Sequence, residues 1–120
     1  MKTDVIAYGA RRFVCVAHDH GVDLLEVSGA TRRRIQSLRR EGVTFVTWST
    51  QSLHLLLHCE ADCQCWVYRC QTELGALTSD ISWGLELSFR AAPNVLDISF
   101  RYPVVAITVV SGVQLLGLDS

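Results

Sequence analysis

Thr31-Arg32-Arg33-Arg34-Ile35-Gln36-Ser37-Leu38-Arg39-Arg40-Glu41 is the stretch on which the fold class turns. Ile35 and Leu38 stand three residues apart and make a one-sided apolar stripe if the segment is helical. Ser28 or Thr31 can serve as N-cap, and Gly42 is placed to end the helix. The spacing therefore predicts an arginine-rich helix over residues 31–41. On it, Arg32 with Arg39, and Arg33 with Arg40, are seven apart and nearly superimposed in projection. Such a guanidinium surface would hold phosphate oxygens bidentately with little sequence preference. The alternative is a solvent-facing side of a packed helix, with Arg39 and Arg40 complementing the macrodipole at its C-terminus.

On both sides of this segment the pattern is that of strands. Residues 4–8, 13–17 and 22–27 read as short strands, the last two joined by His18-Asp19-His20-Gly21. After Gly42, Val43, Phe45 and Thr47 alternate against Thr44, Val46 and Trp48. Residues 52–59 and 63–70 form a candidate hairpin, and 82–90, 95–101, 104–110 and 113–118 supply four more strands. Ala91-Ala92-Pro93-Asn94, Tyr102-Pro103 and Ser111-Gly112 punctuate them. The expectation is an α+β fold, mostly antiparallel β-sheet with one arginine-rich helix, in a single domain over residues 1–120. No internal repeat or linker stands out.

Composition is that of a packed globular protein, with 49% hydrophobic and 19% charged residues in 120. The N-terminal residues contain no signal-peptide core, and residues 102–118 are too interrupted to span a bilayer. Five cysteines without a secretory signal point to a reducing, cytoplasmic setting. The net charge of -1 conceals eight Lys/Arg against five Asp/Glu in residues 1–42, and three against seven thereafter. Basic character is thus local, whereas nucleic-acid binders usually carry it across the domain. Lys2 is the only lysine beside ten arginines and Asn94 the only asparagine, a bias that suits a GC-rich or constrained reading frame such as those of compact viral genomes.

The cysteines gather in the candidate hairpin. With Glu60-Ala61-Asp62 as a three-residue loop, Cys59 lies opposite Cys63 and Leu57 opposite Cys65, so that Cys59, Cys63 and Cys65 share a face. Three thiolates there could converge on zinc, with Zn–S bonds of about 2.3 Å. A fourth ligand would come from His18, Asp19 or His20, or from Glu60 or Asp62. His54 and His58 fall with Leu56 on the other face. The competing reading is that the cysteines pack as small hydrophobes; a Cys59 to Cys63 disulfide is disfavoured by compartment. Trp66 and Tyr68 alternate on one face, suiting either base stacking or a core. Cys15 with His18 or His20 invites a thiol-nucleophile reading, but no phosphate-binding glycine loop or HExxH helix accompanies them, and no enzyme is expected.

In its size, its biased composition, its arginine-rich segment and its residues Cys59, Cys63, Cys65 and Cys70, the chain resembles the first-reading-frame proteins of plant sobemoviruses. Those proteins suppress host RNA silencing and support virus spread. The resemblance implies a non-enzymatic viral accessory protein of the host-cell cytoplasm that binds RNA or host proteins. The family's zinc-binding members use paired Cys-x-x-Cys motifs that this sequence lacks, so zinc as a stabilising cofactor is expected from the cysteine hairpin alone and Arg32, Arg33, Arg39 and Arg40 as RNA-binding residues from the helix surface alone. A reading of another class is a metal-free β-rich module that works by self-association as a homodimer or through a protein partner. The strands between residues 82 and 118 offer an edge and apolar faces for that purpose. An enzyme using Cys15 and His18 or His20 is the third.

Overall fold

The arginine segment is a strand, and the fold is all-β. In the computed structural model, which describes residues 2–49, 52–71 and 81–118, strands β1 (Thr3–Tyr8), β2 (Arg11–His18), β3 (Gly21–Ser28) and β4 (Thr31–Leu38) run as an antiparallel meander. Two-residue turns join them. Gly29, at φ +59, begins the turn that pairs Ser28 with Thr31, and this returns the arginines along β3 before a helix can nucleate. The expected α+β class is corrected accordingly: among the described residues there is no helix.

The misleading stripe has a physical cause. The β3–β4 ladder pairs Leu24 with Gln36 and Leu25 with Arg34, so Ile35 is the extra residue of a bulge. A bulge resets strand alternation by one. Ile35 and Leu38, three apart, therefore reach the same core although the backbone is extended. Gly42 does adopt a positive φ of +74, but in the link after β4 rather than at a helix end.

Two further meanders follow. Strands β5 (Phe45–Trp48), β6 (His54–Cys59), β7 (Gln64–Cys70) and β8 (Trp83–Arg90) form the second sheet, and β9 (Val95–Arg101), β10 (Val104–Val109) and β11 (Gly112–Gly117) the third. The second sheet is the middle layer. On one side Leu55, Leu57, Tyr68 and Trp83 pack against Phe13, Cys15, Val22 and Leu24 of the first sheet. On the other, Leu56, Cys65 and Val67 pack against Ile98, Phe100, Val105 and Ile107 of the third. This double cover is why β6 reads His-Leu-Leu-Leu-His-Cys, buried at every position.

The sheets approach one another most closely along β1, β5 and β9, the first strand of each, and each sheet then proceeds outward strand by strand. The chain returns to the inner edge through residues 39–44 and 91–94. Sheets that converge on their first strands and meander outward are laid out like successive blades of a β-propeller, although the third has three strands where a propeller blade has four. The repetition is one of topology, which is why residue patterns do not display it. Three blades give a body of 44 × 30 × 22 Å. No helix among the described residues is long and apolar enough to cross a membrane.

Candidate functional site

The hairpin that gathers the cysteines has a four-residue turn, Glu60-Ala61-Asp62-Cys63. Cys63 adopts φ +52 within it, and its N–H donates to Glu60 O at 3.2 Å. One residue more in the turn moves every cross-strand partner by one. The pairs are Cys59 with Gln64, His58 with Cys65 and Leu57 with Trp66. The expected common face of Cys59, Cys63 and Cys65 is thereby corrected. Cys65 faces the third sheet with His58, whose Nδ1 lies 3.3 Å from its Sγ. Cys59 lies on the opposite face by strand alternation, with its thiol 3.7 Å from Asp62 Oδ2.

His18 and His20 sit at the β2–β3 turn. His18 Nδ1 accepts the His20 N–H at 3.3 Å and Nε2 is 3.3 Å from Asp23 Oδ1. Among the described residues, no group of three or more His, Cys, Asp and Glu side chains is arranged to hold a metal ion.

The hairpin tip instead clasps two sheets together. Glu60 Oε1 accepts the Asn94 N–H at 2.6 Å, and its Oε2 lies 3.4 Å from the Val95 N–H and 3.0 Å from His58 Nε2. The His58 contact, followed by the two backbone donors, holds the Glu60 carboxyl below its ordinary range. At the other end of the same junction, His54 stacks on Tyr102 with ring centroids 3.7 Å apart, and Ser49 Oγ accepts the Tyr102 N–H at 2.9 Å. Burial lowers the His54 pKa.

The arginines do not form the expected continuous surface. Arg33 pairs with Glu26 at 3.1 Å, beside the fork of Arg11 on the same carboxylate. Arg32 and Arg34 project from the opposite face of the first sheet, across from Val27 and Leu25. Arg40 lies over the Trp66 ring at 4.9 Å and donates from Nε to Tyr68 Oη at 2.8 Å. It thus joins the first two sheets. Arg39 is exposed.

Cys15 is fully buried between the first two sheets, its thiol 3.6 Å from Asp4 O. Three residues away in the same strand, His18 belongs to the other face. Burial pushes the thiols of Cys15 and Cys65 up to about 12, which lowers their thiolate fraction at neutral pH by roughly a thousandfold. Alkylation of the folded protein at neutral pH, followed by mass spectrometry, should therefore label half-buried Cys63 well before Cys15 or Cys65. Rapid labelling of Cys15 would instead reinstate a thiol nucleophile.

Among the described residues, the outer faces of the two end sheets are left uncovered. On the first, Val5, Val14, Val16, Leu25 and Val27 line a shallow depression of about 440 Å³ rimmed by Arg12 and Arg32. Val5 pairs with Val14, and Val14 with Leu25, in one apolar row across three strands. On the third sheet, Val104, Val113 and Leu115 are 47%, 62% and 71% exposed. A readable signal for both faces exists. Phe13-Val14-Cys15-Val16-Ala17 and Val104-Val105-Ala106-Ile107 carry no polar alternate, as strands covered on two sides do not.

A second depression, of about 450 Å³, lies where β1, β5 and β9 converge, with Asp4, Thr47, Trp48 and Asp97 among its lining. There Asp4 Oδ2 accepts the Trp48 main-chain N–H at 2.8 Å, tying the first strand of one sheet to the first strand of the next. Comparison of the chain with protein-family models, curated proteins and solved structures finds no match.

Proposed function

We propose that this chain is a non-enzymatic protein-interaction module that acts by packing its uncovered sheet faces against β-sheet surface of the same kind, first of all that of other copies of itself. The observation that supports this is the contrast between layers. The middle sheet is covered on both faces, whereas each end sheet is covered on one and keeps an aliphatic patch on the other: Val5, Val14 and Leu25 beside Arg12 and Arg32 on the first, and Val104, Val113 and Leu115 beside Asp97 and Arg101 on the third. Contiguous apolar surface of this sort is what association sites expose. The blades themselves show how such a face is satisfied, by a second sheet laid against it.

The separation of the arginines favours this reading over a phosphate-binding one. Arg33 and Arg40 already have carboxylate or aromatic partners, and the faces left open are centred on aliphatic side chains. Light scattering across a dilution series is expected to give a mass above that of one chain, persisting at high salt, since burial of aliphatic surface is not screened by ions. A monomer at every concentration would overturn the proposal. Association that dissolved as salt rose would equally overturn it, because ionic contacts would then be holding the copies together.

A further inference from the structure

We infer that two copies close head to tail into one six-bladed ring, the uncovered face of the third sheet in each copy packing on the uncovered face of the first sheet in the other. This rests on the association proposed above and specifies its geometry.

Both junctions inside the chain are of one kind. Each sheet has a forward face, turned toward the next sheet in the chain, and a rear face, turned toward the one before. The forward face of the first sheet, with Phe13 and Leu24, meets the rear face of the second, with Leu55 and Trp83. The forward face of the second, with Leu56 and Val67, meets the rear face of the third, with Ile98 and Val105. What remains is one rear face, bearing Val5, Val14 and Leu25, and one forward face, bearing Val104, Val113 and Leu115. Apposing them between copies repeats the contact that the chain already makes twice. A twofold axis applies it at both ends and leaves no face over. Three blades and three make six, within the four to eight that propellers use. Pairing rear face with rear face would instead set Arg12 and Arg32 of one copy against the same guanidinium groups of the other, whereas the forward face carries the Asp97 carboxylate as well as Arg101.

Asp97 is an independent pointer. In the β1–β2 ladder, Asp4 stands four residues before Tyr8, the last paired residue ahead of a two-residue turn. In the β9–β10 ladder, Asp97 stands four residues before Arg101, in the same position ahead of a two-residue turn. Asp4 uses its carboxylate to accept a main-chain N–H from β5, the first strand of the next blade. Asp97 lies on the forward face of β9, exposed, and its carboxylate has no hydrogen-bond partner among the described residues. In the closed ring the next first strand is β1 of the other copy. Closure also joins two copies of the depression at β1, β5 and β9 into one axial channel.

Sedimentation velocity on the full chain and on two variants tests the inference. Val5→Asp alters the open rear face and Leu115→Asp the open forward face, both at exposed positions, so circular dichroism and melting should show the folded chain. The unaltered protein should be a dimer. Each variant alone should be a monomer, because every head-to-tail junction uses one face of each sort, and mixing the two should restore a weaker dimer through the single intact junction. Asp97→Ala should raise the dimer Kd about tenfold or more, the value of lost charge-assisted hydrogen bonds, with an unchanged monomer fold. A variant that stays dimeric alone, a mixture that fails to dimerise, or open-ended oligomers would overturn head-to-tail closure while leaving self-association standing. A monomeric unaltered protein would overturn both.

Discussion

Trp83→Ala is expected to lower the unfolding free energy by about 3–5 kcal/mol, the range for removing a fully buried indole. Against a typical total of roughly 5–15 kcal/mol, that is enough to bring the chain close to its unfolding midpoint at ordinary temperature. Trp83 is 2% exposed and packs between the first two sheets, edge-on to Phe13 at 5.4 Å and tilted against Trp48 at 5.6 Å. Its indole N–H donates to Leu53 O at 3.1 Å, so truncation also removes one of that carbonyl's two donors and leaves it the Cys70 N–H at 3.1 Å. The main chain of Trp83 is held separately. Gln36 bonds both its N–H and its carbonyl, as a neighbouring strand would. Substitution should therefore hollow the junction without detaching β8, and the cavity should persist rather than collapse. Equilibrium urea unfolding checks this. A loss below about 1 kcal/mol would mean that Trp83 does not fill the junction.

How far the residues disclose this architecture depends on the layer. Strands that alternate or run wholly apolar, such as β6 and β10, are readable because burial on one or two faces imposes its own period. The arginine segment is not, since the bulge at Ile35 counterfeits helical spacing and the helix formers around it add intrinsic preference that tertiary pairing overrides. The cysteine hairpin shows the same limit at finer scale. Its strands are legible, but register depends on whether Cys63 belongs to the strand or to the turn, and a non-glycine residue at positive φ gives little warning. That single residue decides whether Cys65 meets Cys59 or His58. The blade repetition is hidden for another reason. The first and third sheets open with two-residue turns, Gly9-Ala10 and Tyr102-Pro103, while β5 and β6 are separated by residues 49–53. Equivalent positions therefore drift out of any fixed sequence period, although Asp4 and Asp97 keep theirs.

The middle sheet should be the least forgiving layer, and Leu56→Asp the sharpest probe of it. Leu56 is wholly buried, paired with Thr47 on one side and Val67 on the other, and faces the aliphatic and aromatic cluster shared with the third sheet. Loss of the leucine alone is worth about 2–5 kcal/mol, and desolvating an unpaired carboxylate adds several more until the group takes up a proton. At neutral pH the total is expected to exceed about 5 kcal/mol, which leaves little or no folded protein. The burden is pH-dependent with a definite sign. Burial raises the folded-state pKa of the introduced aspartate above the value of about 3.9 it has in the unfolded chain. The folded state then binds more protons between those two pKa values, so part of the lost stability returns as pH falls through the folded-state value toward 3.9. Leu56→Asn, equally polar and unable to titrate, should show no such recovery relative to the unaltered protein. Leu96→Asp, at an exposed position two residues from the buried Ile98, should be close to neutral. Urea unfolding of the three variants at neutral and mildly acidic pH distinguishes these outcomes. If Leu56→Asp and Leu96→Asp were equally tolerated, the second sheet would not be covered on both faces, and the blade stack on which the interaction reading rests would fall with it.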